Sequence, residues 1–135
     1  MRAFDNDTIQ LISAFERITR SRVHDCLKTE TEDGPVILFV IDKGAMGKAI
    51  GKNGENIRNA EDAMGCMIKV FEYSEDEAEF VKNLVPSAKS VGVKDGKALI
   101  KAARRGAVIG KGGENIKILK QILERNSSIK EIEVR

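Results

Sequence analysis

The sequence predicts an α+β protein made of two similar units, and three observations support this. The eight-residue segment IGKNGENI begins at Ile50 and recurs as IGKGGENI at Ile109, 59 positions later. An Asp-Gly hairpin signal precedes each copy. The apolar residues of the helix after the first copy, Ile57, Ala60 and Met64, are matched by Ile116, Leu119 and Leu123 at the same spacing. We therefore expect two domains, 1–74 and 75–135, each ordered α-β-β-α-α-β.

The first unit opens with an amphipathic pattern. Asp7 to Thr19 predicts a helix with Asp7 as N-cap and Gln10 in the capping-box position. Gly65 follows the helix after the repeat and is typical of a C-cap. We expect two strands joined by a hairpin, a short helix, a longer helix and a third strand at residues 23–30, 36–41, 43–50, 55–64 and 67–73.

The second unit repeats this order. Ser74-Glu75-Asp76-Glu77 predicts a capping box that opens a helix through Val85, which Pro86 ends. Strands are expected at 87–93 and 97–102, and a last strand contains Ile132 and Val134. The second unit is more compact between its hairpin and its loop, where Arg104 and Arg105 precede the short helix.

Composition excludes several classes of protein. Charged residues make up 33% and apolar residues 41% of the chain, as in a soluble globular protein. The longest apolar run, Val36 to Ile41, is too short to span a bilayer, and the start shows no signal-peptide core. We expect a cytoplasmic protein without a membrane partner. Cys26, Cys66 and the single His24 cannot form a four-ligand zinc set, so we expect reduced, buried thiols and no metal.

Charge is unevenly distributed between the two halves. The net charge is +2, with −2 in residues 1–74 and +4 in residues 75–135. The bulk electrostatic field is therefore weak, and we expect affinity for an anionic partner to come from individually placed contacts.

The repeated segment is suited to binding an anion. Glycines allow positive φ and a close approach of the backbone to a ligand, and the start of the next helix carries the positive end of its dipole. A Walker A loop is excluded, because the glycine spacing is one residue short and no Ser or Thr follows Lys52 or Lys111. A dinucleotide fingerprint is excluded because its third glycine would fall on Asn115. With a lysine at each tip, the predicted anion is a phosphate.

The pattern I-G-x-x-G-x-x-I between two helices resembles the signature of the KH domain, a single-stranded nucleic-acid binder. The element order is similar to the prokaryotic, type II KH arrangement, which implies helices on one face of a three-stranded sheet. Two such units joined by a capped acidic helix resemble the archaeal NusA-like transcription factors over essentially the whole sequence. Bacterial NusA proteins carry a polymerase-binding region and an OB-fold domain ahead of the KH pair, and this sequence has neither.

The resemblance implies that the loops grip RNA phosphates and that neighbouring isoleucines line a groove for bases. For the glycines, the alternative is a sharp turn without ligand contact. The isoleucines could equally be plain core, and Arg58, Lys117 and Lys120 could be solvated surface charges. The predicted RNA-binding residues are Ile50, Gly51, Lys52, Asn53, Gly54, Ile57, Arg104, Arg105, Ile109, Gly110, Lys111, Gly112, Gly113 and Ile116.

The sequence predicts a binding protein. It shows no catalytic constellation, so we expect neither enzymatic activity nor a cofactor. The resemblance implies a single-stranded RNA-binding factor of transcription elongation, termination or antitermination, with RNA polymerase or other transcription factors as candidate partners. A KH-type ribosomal or RNA-processing factor is one alternative. A protein-docking adaptor that does not bind RNA is another, although both intact loops argue against it.

Overall fold

The computed structural model describes residues 5–135, so the first four residues of the predicted first domain lie outside the described part. The chain forms two compact units, the first ending at Tyr73 and the second running Ser74–Arg135. The division predicted from sequence fell after Ser74, one residue later. The Ser74 hydroxyl donates to Glu79 Oε2 at 2.7 Å and accepts from the Asp76 N–H at 3.2 Å, so these contacts lie in the second unit.

The first unit has the predicted element order. Its elements are α1 (Asn6–Thr19), β1 (Val23–Thr31), β2 (Gly34–Ile41), α2 (Met46–Ile50), α3 (Glu55–Met64) and β3 (Met67–Glu72). β2 is the central strand, antiparallel to β1 and parallel to β3. The edge strand β3 thus follows directly from the helix that the repeated loop opens.

The second unit repeats this topology. Its elements are α4 (Glu77–Leu84), β4 (Ala88–Lys94), β5 (Lys97–Ala102), α5 (Arg105–Ile109), α6 (Glu114–Asn126) and β6 (Glu131–Val134). β5 is central, antiparallel to β4 and parallel to β6. The first strand of each unit also carries the same irregularity, a register shift between Val23 and Asp25 and between Ala88 and Ser90. The duplication therefore extends to the details of strand pairing.

Two predicted helix caps are wrong by two residues. The N-cap of α1 is Asp5, whose Oδ1 accepts the Thr8 N–H at 2.7 Å, and Asp7 lies inside the helix. The N-cap of α4 is Asp76, whose Oδ1 accepts the Glu79 N–H at 3.1 Å, rather than Ser74. Asp5, Asn6 and Asp7 are all cap-forming residues, as are Ser74 and Asp76, and an N-cap preference alone does not distinguish among them.

The predicted helix 43–50 is also too long. Gly44 has φ +86°, and the Ala45 N–H donates to Asp42 O at 3.1 Å, so this segment forms a turn. The helix consequently begins at Met46. A positive φ cannot continue a right-handed helix, which is why α2 is only five residues long.

The core of the first unit lies between one face of its sheet and its helices. Ile37, Phe39 and Ile41 alternate along β2 and are buried in one cluster with Phe15 of α1. The Phe15 and Phe39 rings stack with centroids 4.0 Å apart and an interplanar angle of 17°. These alternate residues of β2 therefore anchor the helices on one face of the sheet, as the fold class predicted. The residues between them, Val36, Leu38 and Val40, are buried as well. In residues 5–135, no helix has the length and apolar content needed to cross a membrane.

Replacing Phe39 should destabilise the first unit strongly. Phe39 is fully buried and stacked, so Phe39→Ala removes both transfer free energy and packing, at a cost of about 3–5 kcal/mol. The control is Ile9→Ala, because Ile9 is 48% exposed, and its cost should stay within about 0.5 kcal/mol. Urea unfolding followed by circular dichroism measures both, and equal losses would contradict this core assignment.

Candidate nucleic-acid interface

The two glycine loops have almost the same backbone conformation. Gly51 has φ 74° and ψ 174°, and Gly110 has φ 79° and ψ 167°. The second glycines, Gly54 and Gly113, have φ 75° and 76°. Each loop closes a short turn in which the second glycine N–H donates to the first glycine carbonyl, at 3.2 and 3.1 Å. Four glycines with positive φ therefore hold both loops in one geometry.

An asparagine after each loop fixes the first glycine. Asn56 Nδ2 donates to the Lys48 carbonyl of α2 at 2.7 Å, which ties the start of α3 to the preceding helix. A Cβ on Gly51 would lie 2.7 Å from Asn56 Cγ, so no side chain fits there. The second loop repeats this arrangement. Asn115 Nδ2 donates to the Ala107 carbonyl at 3.2 Å, and a Cβ on Gly110 would lie 2.8 Å from Asn115 Cγ.

The tip of each loop is exposed to solvent. Lys52, Asn53, Lys111 and Gly112 are all exposed, whereas the bracketing glycines are half-buried. Asn53 adopts φ 56°, close to the φ 63° of Gly112, so the one residue that differs between the repeats leaves the backbone unchanged. Asn is one of the few non-glycine residues that tolerates this conformation. Each loop therefore presents a lysine on a glycine-supported turn at the N-terminus of a helix, where negative charge is favoured.

Arg58 adds a second cation to the first loop. Its Nη1 donates to the Asn53 carbonyl at 2.6 Å, and a Cβ on Gly54 would lie 3.3 Å from the same atom. The guanidinium is thus held against the loop tip beside Lys52. Lys117 occupies the equivalent position of the second unit.

The second unit has a groove next to its loop helix. This groove, of about 360 Å³, lies between α6 and β6, and its lining includes Ile116, Lys117, Lys120 and Ile132. At its rim, Lys97 Nζ lies 3.0 Å from Glu133 Oε1. The hydrogen bond from Lys97, and then that from Arg135, lower the pKa of Glu133 below its usual range. The groove therefore combines apolar walls with three lysines and two carboxylates, Glu131 and Glu133.

The corresponding edge of the first unit has different chemistry. Glu61 of α3, equivalent to Lys120, accepts the Ile68 N–H of β3 at 3.0 Å. Burial, and secondly the charge of Glu61, raise the pKa of the nearby Cys66 thiol. This edge is therefore bridged by a carboxylate, where the second unit presents a lysine.

The predicted residues fall into three groups in the structure. Each loop brings its own glycines and tip residues together with the isoleucine that follows. Ile57 packs against the core of the first unit, while Ile116 lines the groove of the second unit. Ile50 is 38% exposed and Ile109 is half-buried. Arg104 and Arg105 are exposed at the start of α5, whereas the loop follows its end, about 7 Å away along the axis.

The sequence reasoning missed the asparagines that hold the loops and left three cations undecided. Asn56 and Asn115 had a signal, because both repeats contain asparagine at the same position. No sequence signal indicated the hydrogen bond of Arg58 or the positions of Lys117 and Lys120 in the groove, since helix periodicity does not show which loop or strand a side chain meets. Within residues 5–135, no group of three or more His, Cys, Asp or Glu is placed to hold a metal ion.

Comparisons with known proteins point to one family. KH-domain family models match residues 36–89 and 78–135. The first match begins within β2 and extends into β4, so it includes the β-α-α-β segment that carries the first loop and continues into the second unit.

Several curated relatives are similar over nearly the whole chain. A "Probable transcription termination protein NusA" of Methanococcus vannielii is 38% identical over 96% of this chain and 78% of its own length. Proteins of the same description from Methanocaldococcus jannaschii and Thermoplasma acidophilum are 34% and 32% identical, over 95% and 97% of this chain and 72% and 94% of their own lengths. Among solved structures, the crystal structure of APE1850 superimposes with a TM-score of 0.77 and 31% identity, over 98% of this chain and 100% of that chain.

The first glycine of each loop should resist substitution, and the tip should not. Gly110→Ala places a Cβ against Asn115 at positive φ, so it should lower the free energy of unfolding by about 1–3 kcal/mol. The matched control is Gly112→Asn, because nothing lies within 4 Å of a Cβ at Gly112 and Asn53 occupies the equivalent position. This control should stay within about 0.5 kcal/mol of the native protein. Thermal unfolding measures both, and a tolerated Gly110→Ala would show that the Gly110–Asn115 contact does not constrain the loop.

Proposed function

Because the chain belongs to the archaeal NusA-like family of tandem KH-domain proteins, we propose that it is an RNA-binding factor of transcription elongation, termination or antitermination. It binds single-stranded RNA by holding the RNA backbone on its two glycine loops. Its action is binding, without catalysis. The observation that carries the proposal is the matched geometry of the two loops, each with an exposed lysine on a turn with positive φ.

The loops supply the contacts to the RNA backbone. A phosphate is drawn to the helix N-terminus by the dipole and to Lys52 or Lys111 by charge. Within the first loop, the Gly54 N–H donates to the Gly51 carbonyl and the Glu55 N–H donates to the Lys52 carbonyl. Among the hydrogen bonds of residues 5–135, the N–H groups of the tip residues Lys52 and Asn53 take no part in this turn. Backbone amides and a lysine at one tip are the donors that phosphate recognition requires.

Unpaired bases are the second element of recognition. The groove beside α6 is lined by Ile116 and Ile132, so it can take the apolar face of a base. The six aromatic residues of the chain lie outside both loops, which favours apolar contact and hydrogen bonding over stacking on an aromatic platform. Such contacts need bases that are free of a duplex.

RNA polymerase and other transcription factors are the proposed protein partners. This part of the proposal depends on the relatives, which are described as probable transcription termination proteins. Binding of nascent RNA and contact with the transcription machinery are separable activities.

Placing carboxylates at the loop tips should abolish much of the RNA affinity. The variant carries Lys52→Asp and Asn53→Asp in the first loop, with Lys111→Asp and Gly112→Asp in the second. Negative charge then lies where phosphate binds, and charge-assisted hydrogen bonds are lost, so the Kd should rise at least about tenfold. Fluorescence anisotropy with a labelled ten-nucleotide single-stranded RNA measures the change.

The control reproduces, away from the loops, the charge change made in the second loop. Ser87→Asp with Lys89→Asp, both at exposed positions at the start of β4, alters the charge of the second unit by the same amount as its loop substitutions. This variant should bind nearly as the native protein does. If the loop variant keeps native affinity and native folding, the RNA-binding role of the loops is wrong.

Binding should prefer single strands and weaken moderately with salt. For a single strand, a plot of log affinity against log salt concentration has a slope of about −0.7 for each neutralised phosphate. Two lysine-tipped loops, helped by Arg58 or by Arg104 and Arg105, predict a slope of roughly −2 to −4. Titrations from low to high potassium chloride measure it. Tighter binding to a duplex of the same length, or a slope near zero, would contradict the proposal.

A further inference from the structure

The edge strands β3 and β6 present equivalent backbone groups on their outer sides. In a parallel ladder, alternate residues of an edge strand bond to the neighbouring strand and the others face away from it. Tyr73 N–H donates to Ile41 O and Arg135 N–H to Ile100 O, so the odd-numbered residues of both strands face inward. Ile68 and Ile132 hold equivalent positions, because each pairs with the first core residue of its central strand, and both direct their N–H outward.

In the first unit the outward N–H of Ile68 already donates a hydrogen bond within the protein. Glu61 Oε2 accepts the Ile68 N–H at 3.0 Å, so a carboxylate lies over the strand edge. Arg58, one helical turn before Glu61, donates to the loop carbonyl of Asn53. Both side chains of α3 that could meet a ligand at this edge are therefore engaged within the protein, and one of them is an anion.

In the second unit the two equivalent positions are lysines. Lys117 and Lys120 line the groove with Ile116 and Ile132. Lys120 Nζ lies 3.9 Å from Glu124 Oε1, and both side chains are about half exposed, so this pair is weak. A ligand that enters this groove meets a backbone N–H, apolar walls and the two cations of α6. On the strand side of the groove, Glu133 is paired with Lys97, and Glu131 is a further carboxylate.

We infer that the two units bind RNA unequally. In the second unit a base reaches the outward edge of β6 at Ile132 while Lys117 and Lys120 neutralise its phosphates. In the first unit Glu61 competes with RNA for the Ile68 N–H and repels phosphate, so that unit contributes mainly its loop. This inference rests on the proposed function and assigns Glu61 and Lys120 as the residues that set the difference.

The physical basis is a competition for one donor. The carboxylate of Glu61 forms a charge-assisted hydrogen bond, which is stronger than the bond that a neutral carbonyl or ring nitrogen of a base would make. A base can replace it only if Glu61 moves aside, and its phosphate would still meet the negative charge. Lys120 cannot accept a hydrogen bond, so no such competitor exists at that position in the second unit.

The test is an NMR titration of the ¹⁵N-labelled full chain with a ten-nucleotide RNA of randomised sequence. The loop amides Gly51 and Gly110 report phosphate binding, and the amides of Ile68 and Ile132 report binding at the strand edges. We expect shifts at both loops and at Ile132, with Ile68 nearly unchanged. In the variant Glu61→Lys, the Ile68 amide should respond and affinity should rise.

Two substitutions at an exposed position complete the design. Lys120→Glu should weaken RNA binding about tenfold and suppress the response of Ile132, while Lys120→Gln, which removes the cation without adding an anion, should have a smaller effect. Both should leave the amide spectrum of the free protein native. If Ile68 and Ile132 respond equally in the native protein, or if Lys120→Glu binds as the native protein does, the inference is wrong although the loops still bind RNA. If neither the loops nor the strands respond, the proposed function fails and the inference fails with it.

Discussion

The close packing of a glycine against an asparagine at the start of each loop is the constraint on which the interface depends. Gly51 and Gly110 adopt positive φ, and their α-carbons lie so near Asn56 and Asn115 that a Cβ would clash at under 3 Å. The same asparagines donate to the preceding helix. This packing therefore holds the turn against the preceding short helix and places the lysine that follows at the start of the longer one, which is the arrangement that the proposed phosphate contact needs.

Duplication preserved this constraint while the surroundings diverged. The loops differ at one residue and keep one conformation, because Asn53 tolerates the φ that Gly112 adopts. On the helices that follow the loops, equivalent positions now carry side chains of different charge and different contacts. Glu61 bonds to the strand edge of its unit, whereas Lys120 lines a groove. Backbone geometry, which every ligand contact needs, is retained, and the side chains around it are free to make the two units unequal.

Sequence predicted the features that depend on short-range signals. The bounds of α3 and its Gly65 cap, the hairpins and the order of elements along the chain were found, because glycine turns, β-branched runs and helix periodicity are local. The caps Asp5 and Asp76 were missed because more than one cap-forming residue lies near each helix start, and Gly44 shortened α2 through a turn that helix periodicity does not show. The Glu61–Ile68 and Arg58–Asn53 contacts require the three-dimensional course of the chain, so no motif in the sequence could have shown them.

A crystal structure of the protein with a ten-nucleotide single-stranded RNA would show whether both loops hold RNA phosphates. We expect a phosphate oxygen at hydrogen-bond distance, about 2.7–3.2 Å, from backbone N–H groups of each loop tip, with Lys52 or Lys111 beside it. The loops themselves should keep the conformation they have without RNA, since the glycine–asparagine packing already fixes it. RNA bound on another face with both loops unoccupied, or loops that rearrange to bind, would show that the loops are not a preformed site for RNA phosphates.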